Sequence, residues 1–410
     1  MKKYTINDLE NVLDPILKKN KKLVSYDAVP FTSAGENFGS LMLGLTLVLK
    51  DIKTNKEEKV DAVAKMIPTN ELIREIFNVN VSFRKEVAMY TDVIQEIKSF
   101  LKETGCERDI PYIAEYYGSR ISLNPNAAEV DFDAVLILEN LKTKGYVTLN
   151  RFNGFDLDTT KIILKNLALF HAVPLAYKLQ KPRKFKEVLM PHMGPGMDSL
   201  KEREIFGKNL FTEQVEHAAS LNPRCAELKS KLIEIAESPD LLFFDSNCDF
   251  EDPFGTLCHI DLWINNILIK YEEQKPINAK FVDFQVMCFA SLARDVVFFL
   301  FTSVSPSVLR EHFDQLLRDY HSEFSEILKS LGCDTTQYSF DRFQKELAKV
   351  AKLTEIAHSC RWLQPILAEE GALPALEDFK DDSLEDYKGS ETYNKRLVDN
   401  ILLFDKLHWI

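Results

Sequence analysis

The hydrophobic period changes partway along the 410 residues of this chain, and this change limits the folds open to it. Between residues 23 and 67, apolar side chains alternate through LVSYDAVPFT, SLMLGLTLVLK and VDAVAKMI, which predicts an antiparallel meander. After residue 141, helical patterns dominate, at about 156–178, 198–219, 305–330, 340–365 and 389–408. The sequence therefore predicts an α+β fold with a strand-rich lobe, residues 1–140, and a larger helical lobe, residues 141–410.

One amphipathic helix is predicted inside the strand-rich lobe, at about residues 82–103. Its apolar side chains recur at helical spacing: Phe83, Val87, Tyr90, Ile94 and Ile97. Two further strands are predicted after it, in YIAEYYG and DFDAVLILEN. In the helical lobe, short apolar runs at 255–270 and 279–284 interrupt the helices.

Net charge and cysteine usage indicate which partners and which cellular compartment to expect. The chain has 51 Lys and Arg against 63 Asp and Glu, a net charge of −12, so we expect no nucleic-acid partner. The seven cysteines are scattered without a CxxC pair, which is typical of reduced thiols and predicts a cytoplasmic protein. Charged residues interrupt the most apolar long segment, 281–304, so no membrane span is predicted. The sequence makes no prediction of the oligomeric state.

Polar residues stand inside an apolar stretch at 258–268, CHIDLWINNIL, and they require a reason because burying them unpaired costs free energy. His259 and Asp261 could be two metal ligands, but no third His or Cys stands at a companion spacing. The chain contains no GxSxG nucleophile elbow and no GxxxxGK[ST] phosphate-binding loop. Zinc chemistry and serine hydrolysis are therefore disfavoured.

Phosphoryl transfer fits the stretch better. Its residues follow the pattern HxDxxxxN, and FVDFQ with Asp283 comes after a turn. Transfer from ATP needs a carboxylate that takes the proton of the acceptor hydroxyl, and it needs oxygen ligands that hold Mg²⁺ on the phosphates. Asp261 is suited to the first role, and Asn266 and Asp283 are suited to the second.

With these motifs in this order, the chain resembles the kinase-like phosphotransferases of the aminoglycoside and choline kinase superfamily. Within them it is similar to the ecdysteroid kinase-like (CHK kinase-like) family, whose motifs match HxDLWxNNI and VDFQ here. The resemblance extends over nearly the whole chain. It implies a two-lobed protein kinase-like fold, ATP and Mg²⁺ as cofactors, and a small-molecule alcohol as substrate. It also implies Asp261 and His259 as catalytic residues.

The nucleotide site is implied by the same resemblance. The segment SAGENFGSL at 33–41 resembles a nucleotide lid, in which glycines let backbone amides approach phosphates. Lys65, flanked by apolar residues, is expected to be buried, with Glu86 of the next helix as its partner. The stretch LILENL resembles the interlobe hinge, whose backbone would contact adenine. The implied ATP-binding residues are Gly35, Glu36, Asn37, Gly39, Ser40, Lys65, Glu86, Glu139, Asn140 and Leu141.

Two residues of the helical lobe are expected to support the site. In SLARDVVFFLF, Asp295 is expected to accept hydrogen bonds from the backbone of the catalytic loop. His171, on an apolar helix face, is expected to be a hydrogen-bonded core residue. Only VMCFA separates FVDFQ from SLARD, which leaves little room for an activation loop and favours a small-molecule acceptor.

One position departs from the superfamily pattern. Ile260 follows His259, where these phosphotransferases mostly carry Gly. Because a β-branched residue tolerates only ordinary φ and ψ, we expect the loop to adopt a slightly different path. A non-catalytic, nucleotide-binding pseudokinase is therefore an alternative function.

The acceptor is open to more than one interpretation. The chain has 28 Phe and 13 Tyr, which suits an aromatic cleft for an apolar alcohol, and the family resemblance implies an ecdysteroid, a related steroid or a xenobiotic. Core packing explains most of these aromatic residues equally well. The acidic segment 367–387 would instead favour a cation such as choline or an aminoglycoside, although such a charge run is usually a solvated loop.

Overall fold

The computed structural model describes residues 4–31, 40–194, 208–237, 248–369 and 389–410. The strand-rich lobe contains one antiparallel five-stranded sheet with strand order β1-β2-β3-β5-β4. Its strands are β1 (Lys21–Pro30), β2 (Leu41–Asp51), β3 (Glu57–Met66), β4 (Tyr116–Arg120) and β5 (Val135–Glu139). The predicted meander is β1 to β3, and the two further predicted strands are β4 and β5.

Alternation along β2 explains how the sheet is covered. Leu43, Leu45, Leu47 and Leu49 are all buried, because every second side chain of a strand points to the same face. They pack in one core cluster with apolar residues of the two short helices Leu9–Val12 and Asp14–Leu17. The opposite face of the sheet packs against the helices that follow β3.

The predicted helix at 82–103 is present with two differences. It consists of Val79–Ala88, a π-helical turn Met89–Val93, and Ile94–Glu103, and a further short helix, Glu71–Ile76, precedes it. A single π turn adds only one residue, so a search for a 3.6-residue period does not reveal it. The short helix begins where the Asn70 side chain accepts a hydrogen bond from the Ile73 N–H at 3.1 Å.

The larger lobe is mainly helical, as predicted. Its helices, leaving out 3₁₀ and π turns, are Leu157–Gln180, Pro182–Lys184, Lys208–Leu221, Pro223–Glu237, Ala293–Ser303, Pro306–Ser330, Phe340–Val350, Ile356–Ile366 and Glu391–Lys406. The sequence prediction omitted Pro223–Glu237, and it treated 340–365 as one helix, where a π turn, Ala351–Glu355, joins two. The first part of the predicted helix at 198–219 lies outside the described residues.

The helix Leu157–Gln180 is the centre of this lobe. Among the described residues it alone is long and apolar enough to cross a membrane, but 83% of its apolar window is buried in the protein. Its packing is that of a core helix. All seven cysteines are free thiols.

Short strands on the large lobe carry the motifs that the sequence singled out. β7 (Gly255–Cys258) pairs with β10 (Cys288–Ser291), and β6 (Tyr146–Val147), β8 (Ile267–Glu272) and β9 (Lys275–Phe281) form a second sheet. The stretch 258–268 joins β7 to β8, and the hairpin β8–β9 leads to Asp283. The architecture is therefore the predicted α+β arrangement, with the motif loops between a small antiparallel sheet and a large helical lobe.

Candidate active site

Asp295 holds the loop after β7 in place. Its carboxylate accepts the backbone N–H of His259 at 2.6 Å and that of Ile260 at 2.7 Å, so the predicted hydrogen bonds are present. His171 Nε2 lies 3.0 Å from the same carboxylate, and its Nδ1 lies 2.7 Å from the hydroxyl of Tyr320. Because all these groups are buried, His171 is a hydrogen-bonded core residue, as expected.

Ile260 adopts a left-handed conformation with φ of 71°. The expectation that this β-branched residue would keep an ordinary φ was wrong. The two hydrogen bonds to Asp295 fix the peptide planes on either side of the His259 Cα. The next residue, Ile260, takes a backbone conformation that glycine adopts most easily. The loop therefore stores local strain at Ile260.

Asp261 lies at the centre of the loop. The Asn266 amide Nδ2 donates both to its carboxylate and to its backbone carbonyl, each at 2.9 Å, and the Trp263 side chain also donates to the carboxylate. Burial and the nearby charge of Asp283 raise the pKa of Asp261 well above its usual range. The loop thus presents a carboxylate with increased proton affinity, held by two donors.

His259 does not lie beside Asp261 in the site. Its ring is completely buried, its Nε2–H donates to the carbonyl of Val282 at 3.0 Å, and it does not line the cavity that Asp261 lines. Burial lowers the pKa of His259, which favours the neutral ring. The predicted catalytic role of His259 is therefore corrected: its ring ties the loop to the strand that leads to Asp283.

Lys65, on β3, joins the two lobes. Its Nζ lies 2.6 Å from Glu86 Oε2, as predicted, and 2.7 Å from Asp283 Oδ1, which was not predicted. Burial alone would lower the pKa of Lys65, but the attraction of Asp283 and Glu86 outweighs it and raises the pKa. Burial raises the pKa of Glu86 in spite of the opposing charge of Lys65. The three side chains form one buried ionic cluster.

Asn266 and Asp283 are brought together by the end of the β8–β9 hairpin. The backbone N–H of Val282 donates to the carbonyl of Asn266 at 3.0 Å, which places the two residues side by side. Both hydrogen bonds of the Asn266 amide use Nδ2, so its Oδ1 points away from Asp261. An amide oxygen and a carboxylate on neighbouring loops form a donor set of the kind that Mg²⁺ prefers, so the residues fit the predicted metal.

At the predicted hinge, two backbone N–H groups already donate hydrogen bonds within the protein. The N–H of Glu139 donates to the carbonyl of Glu115 at 2.9 Å, and that of Asn140 donates to the carbonyl of Asp61 at 3.2 Å. The Glu139 carboxylate accepts from Lys280 Nζ at 2.6 Å. These N–H groups are therefore not available to adenine, and the predicted contact would use the Leu141 N–H or the backbone carbonyl groups of the hinge.

The predicted nucleotide lid can be placed only in part. Gly35, Glu36, Asn37 and Gly39 lie outside the described residues. Ser40, the next residue, is buried at the start of β2.

A cavity of about 450 Å³ brings the other predicted residues together. Lys65, Glu86, Glu139, Leu141, Asp261, Asn266 and Asp283 line it. It is also lined by residues that sequence reasoning missed, Phe31, Arg151, Phe152, Gln285 and Trp362. Gln285 belongs to the VDFQ motif, but the other four stand in no recognisable motif, so only the folded chain shows that they share the site.

Comparison with known proteins is consistent with this geometry. The model of the ecdysteroid kinase-like family matches residues 34–333, well over half of the chain. No curated protein matches significantly.

Two similar solved structures are small-molecule kinases. One is amicoumacin kinase in complex with AMP-PNP, Ca²⁺ and Ami, with 13% identity, a TM-score of 0.40, and 92% of this chain and 88% of that chain covered. Another is a GDP complex of a mutant aminoglycoside 2'-phosphotransferase-IIIa, with 13% identity, a TM-score of 0.41, and 98% and 97% covered. The extent of the family match decides the assignment: the chain belongs to the ecdysteroid kinase-like family and is a small-molecule phosphotransferase.

Proposed function

We propose that this protein transfers the γ-phosphoryl group of ATP, bound with Mg²⁺, to a hydroxyl of an apolar alcohol, an ecdysteroid, a related steroid or a xenobiotic. The observation that carries the proposal is that Lys65, Asp261, Asn266 and Asp283 all line one cavity. These are the group types that phosphoryl transfer needs: a cation for the phosphates, a base, and two oxygen ligands for a metal.

Asp261 is the proposed general base. Its pKa is raised by burial and by Asp283, so it accepts a proton more readily than an exposed aspartate would. The donors on Asn266 and Trp263 orient the carboxylate. In the proposed reaction the acceptor hydroxyl binds against this carboxylate, attacks the γ-phosphorus, and gives up its proton to Asp261. The bond between the γ-phosphorus and the oxygen that bridges it to the β-phosphate breaks, and ADP leaves.

Lys65 is the proposed phosphate-binding residue, and Glu86 keeps its amine in place from a helix of the same lobe. Asp283 and Asn266 would hold the metal, which would neutralise charge on the phosphates. Lys65 Nζ lies 2.7 Å from Asp283 Oδ1. One phosphate group of the nucleotide could therefore contact both the Lys65 amine and the metal that Asp283 would hold.

The acceptor part of the proposal rests on the aromatic lining of the cavity. Phe152, Trp263 and Trp362 contribute side chains from three different segments of the large lobe. Aromatic walls bury an apolar alcohol favourably and leave few polar groups unpaired when it binds.

A screen of labelled ATP against ecdysteroids, plant phenols, choline and aminoglycosides tests the proposal. We expect Mg²⁺-dependent transfer of label to at least one apolar alcohol, and transfer by an Asp261→Asn variant that is slower by about a hundred- to ten-thousandfold. ATP·Mg²⁺ should also raise the melting temperature, because it binds only the folded chain. Stabilisation by nucleotide without any phosphorylated product would favour the pseudokinase alternative.

A further inference from the structure

The carboxylates that line the cavity all have partners inside the protein. Glu86 and Asp283 pair with Lys65, and Glu139 pairs with Lys280 at 2.6 Å. Asp261 accepts the Asn266 amide. Among the described residues of the lining, Asp261 is therefore the one carboxylate without a cationic partner.

The cationic side chains of the lining do not all have a carboxylate partner. The Lys65 amine is held between two carboxylates, and the Lys142 amine lies over the Phe31 ring, 4.7 Å from its centre. Arg151 comes from the segment between β6 and the helix Leu157–Gln180 and forms no ion pair with a described residue. Lys142 forms no ion pair with a described residue either, but it directly follows the predicted adenine hinge, so Arg151 is the cation that we assign to the acceptor.

Arg151 is held in a fixed orientation but is only partly satisfied. One terminal nitrogen donates to the carbonyl of Ala368 at 2.6 Å, and the guanidinium lies 4.7 Å from the centre of the Phe152 ring. Its Nε is buried and has no hydrogen-bond partner among the described residues. A buried donor of a charged group that lacks a partner costs free energy. Arg151 also lines the cavity, so a ligand there could offer an oxygen to its guanidinium.

The aromatic residues of the lining connect this cation to the reacting carboxylate. The Trp263 side chain donates to Asp261, so its indole lies against the proposed base. Phe152 stacks with the guanidinium of Arg151. Trp362 stands on the helix Ile356–Ile366, and the carbonyl of Ala368, two residues after this helix, accepts a hydrogen bond from the same guanidinium. One molecule with an apolar body could therefore place a hydroxyl at Asp261 and a second polar group at Arg151.

We propose that Arg151 selects the acceptor, and that the acceptor is an apolar alcohol that carries, apart from the reacting hydroxyl, a carbonyl or carboxylate oxygen that the guanidinium binds. This rests on the proposed function and adds a requirement to it. The proposal also disfavours choline and aminoglycosides, since a cation bound near Asp261 would share the cavity with the unneutralised charge of Arg151.

Matched hydroxysteroids and an Arg151→Met variant test the inference. The probes share one hydroxyl and carry at the far end a ketone, a carboxylate or only hydrogen, and the ketone and carboxylate arms distinguish a neutral from an anionic acceptor. We measure kcat/KM for each probe, and its affinity in the presence of Mg²⁺ and a non-hydrolysable ATP analogue. Arg183→Met removes an exposed guanidinium outside the cavity lining and is the matched control.

In the parent and in the control variant, we expect the oxygen-bearing probes to exceed the hydrogen-only probe by about ten- to a hundredfold, as for a hydrogen bond to a charged group. Arg151→Met should abolish this difference and leave the hydrogen-only probe nearly unaffected. If Arg151 only supports the fold through Ala368, the variant will weaken all probes equally, and the inference is overturned.

Other outcomes separate the inference from the proposed function. Binding of none of the probes, with ATP·Mg²⁺ binding intact, would overturn the inference and leave the kinase activity to be assigned to another acceptor. Faster transfer to choline or kanamycin than to any steroid would also overturn it. If the parent protein does not bind ATP·Mg²⁺, this result would instead contradict the proposed function itself.

Discussion

Lys65 Nζ lies 2.7 Å from Asp283 Oδ1, although 218 residues separate them along the chain. One residue belongs to the central strand of the small sheet, and the other follows the hairpin that leaves the catalytic loop. The contact bridges the two lobes at the site where we propose that ATP binds. Since Glu86 shares the same amine, removal of Lys65 would leave two carboxylates of the cluster without their cation.

The first prediction concerns the ion pair between Lys65 and Glu86. Lys65→Met should lower kcat by about a hundred- to a thousandfold, because a donor to the transferred phosphoryl group is lost. Glu86→Gln should give a smaller defect of the same kind. Steady-state kinetics of both single variants and the double variant measure the coupling, with thermal melts to correct for unfolded protein.

The two effects should be strongly non-additive, because Glu86 acts through the position of the Lys65 amine. Effects that add within about 0.5 kcal/mol would mean that the two residues act independently.

The second prediction concerns the metal. Asp283→Asn should weaken ATP·Mg²⁺ binding by about ten- to a hundredfold, since a charged oxygen ligand is lost. Asn266→Ala should weaken it less. Titrations with ATP and Mg²⁺, and with ATP and EDTA, separate metal-dependent from metal-independent binding. Parent-like affinity for ATP·Mg²⁺ in the Asp283 variant would remove this residue from the metal site.

The sequence predicted the parts of the site that lie within one local segment. Asp261 and Asn266 are five residues apart on one loop, and the hairpin that returns Asp283 is visible as two apolar runs with a turn. Arg151 and Trp362 are more than 200 residues apart, and no local pattern relates them, so their place in the cavity depends on the packing of the helical lobe. The contact between Lys65 and Asp283 was missed for the same reason.

Backbone conformation was the other feature that the sequence did not predict. Residue type favours an ordinary φ at Ile260, yet its φ is positive in a loop that two hydrogen bonds to the Asp295 carboxylate hold in place. A local preference of about 1–2 kcal/mol is smaller than the cost of leaving a buried carboxylate without its donors. Tertiary hydrogen bonding therefore overrides the preference of the residue.

The third prediction follows from this strain. At most positions glycine is less stable than alanine, but at Ile260 we expect Ile260→Gly to be more stable than Ile260→Ala by about 1 kcal/mol. Both variants lose the isoleucine side chain, so only the backbone preference differs. Denaturant unfolding of both variants measures the difference in free energy of unfolding.

The matched control is Ile277, a half-exposed residue of β9 whose φ is not positive. There Ile277→Ala should be more stable than Ile277→Gly, the usual order. The same order at residue 260 would show that the left-handed conformation stores no strain.

The last prediction concerns Asp261. Asp261→Asn keeps the shape of the side chain, and one oxygen remains to accept the Asn266 amide, but the amide cannot take up a proton. Positioned bases are worth about a hundred- to ten-thousandfold in rate, so we expect turnover to fall by a factor in this range. Because burial and Asp283 disfavour the ionised form of Asp261, the variant should be at least as stable as the parent at neutral pH, and it should bind ATP·Mg²⁺ nearly as well.

The competing explanation is that Asp261 only ties the loop together through Asn266 and Trp263, and that water removes the proton. In that case the variant should lose stability, while turnover per folded molecule survives. Thermal melts combined with acceptor-dependent ADP release distinguish the two explanations. Because the substitution removes the proton acceptor and retains an oxygen for the Asn266 amide, a well-folded variant with parent-like turnover would end the assignment of Asp261 as the base.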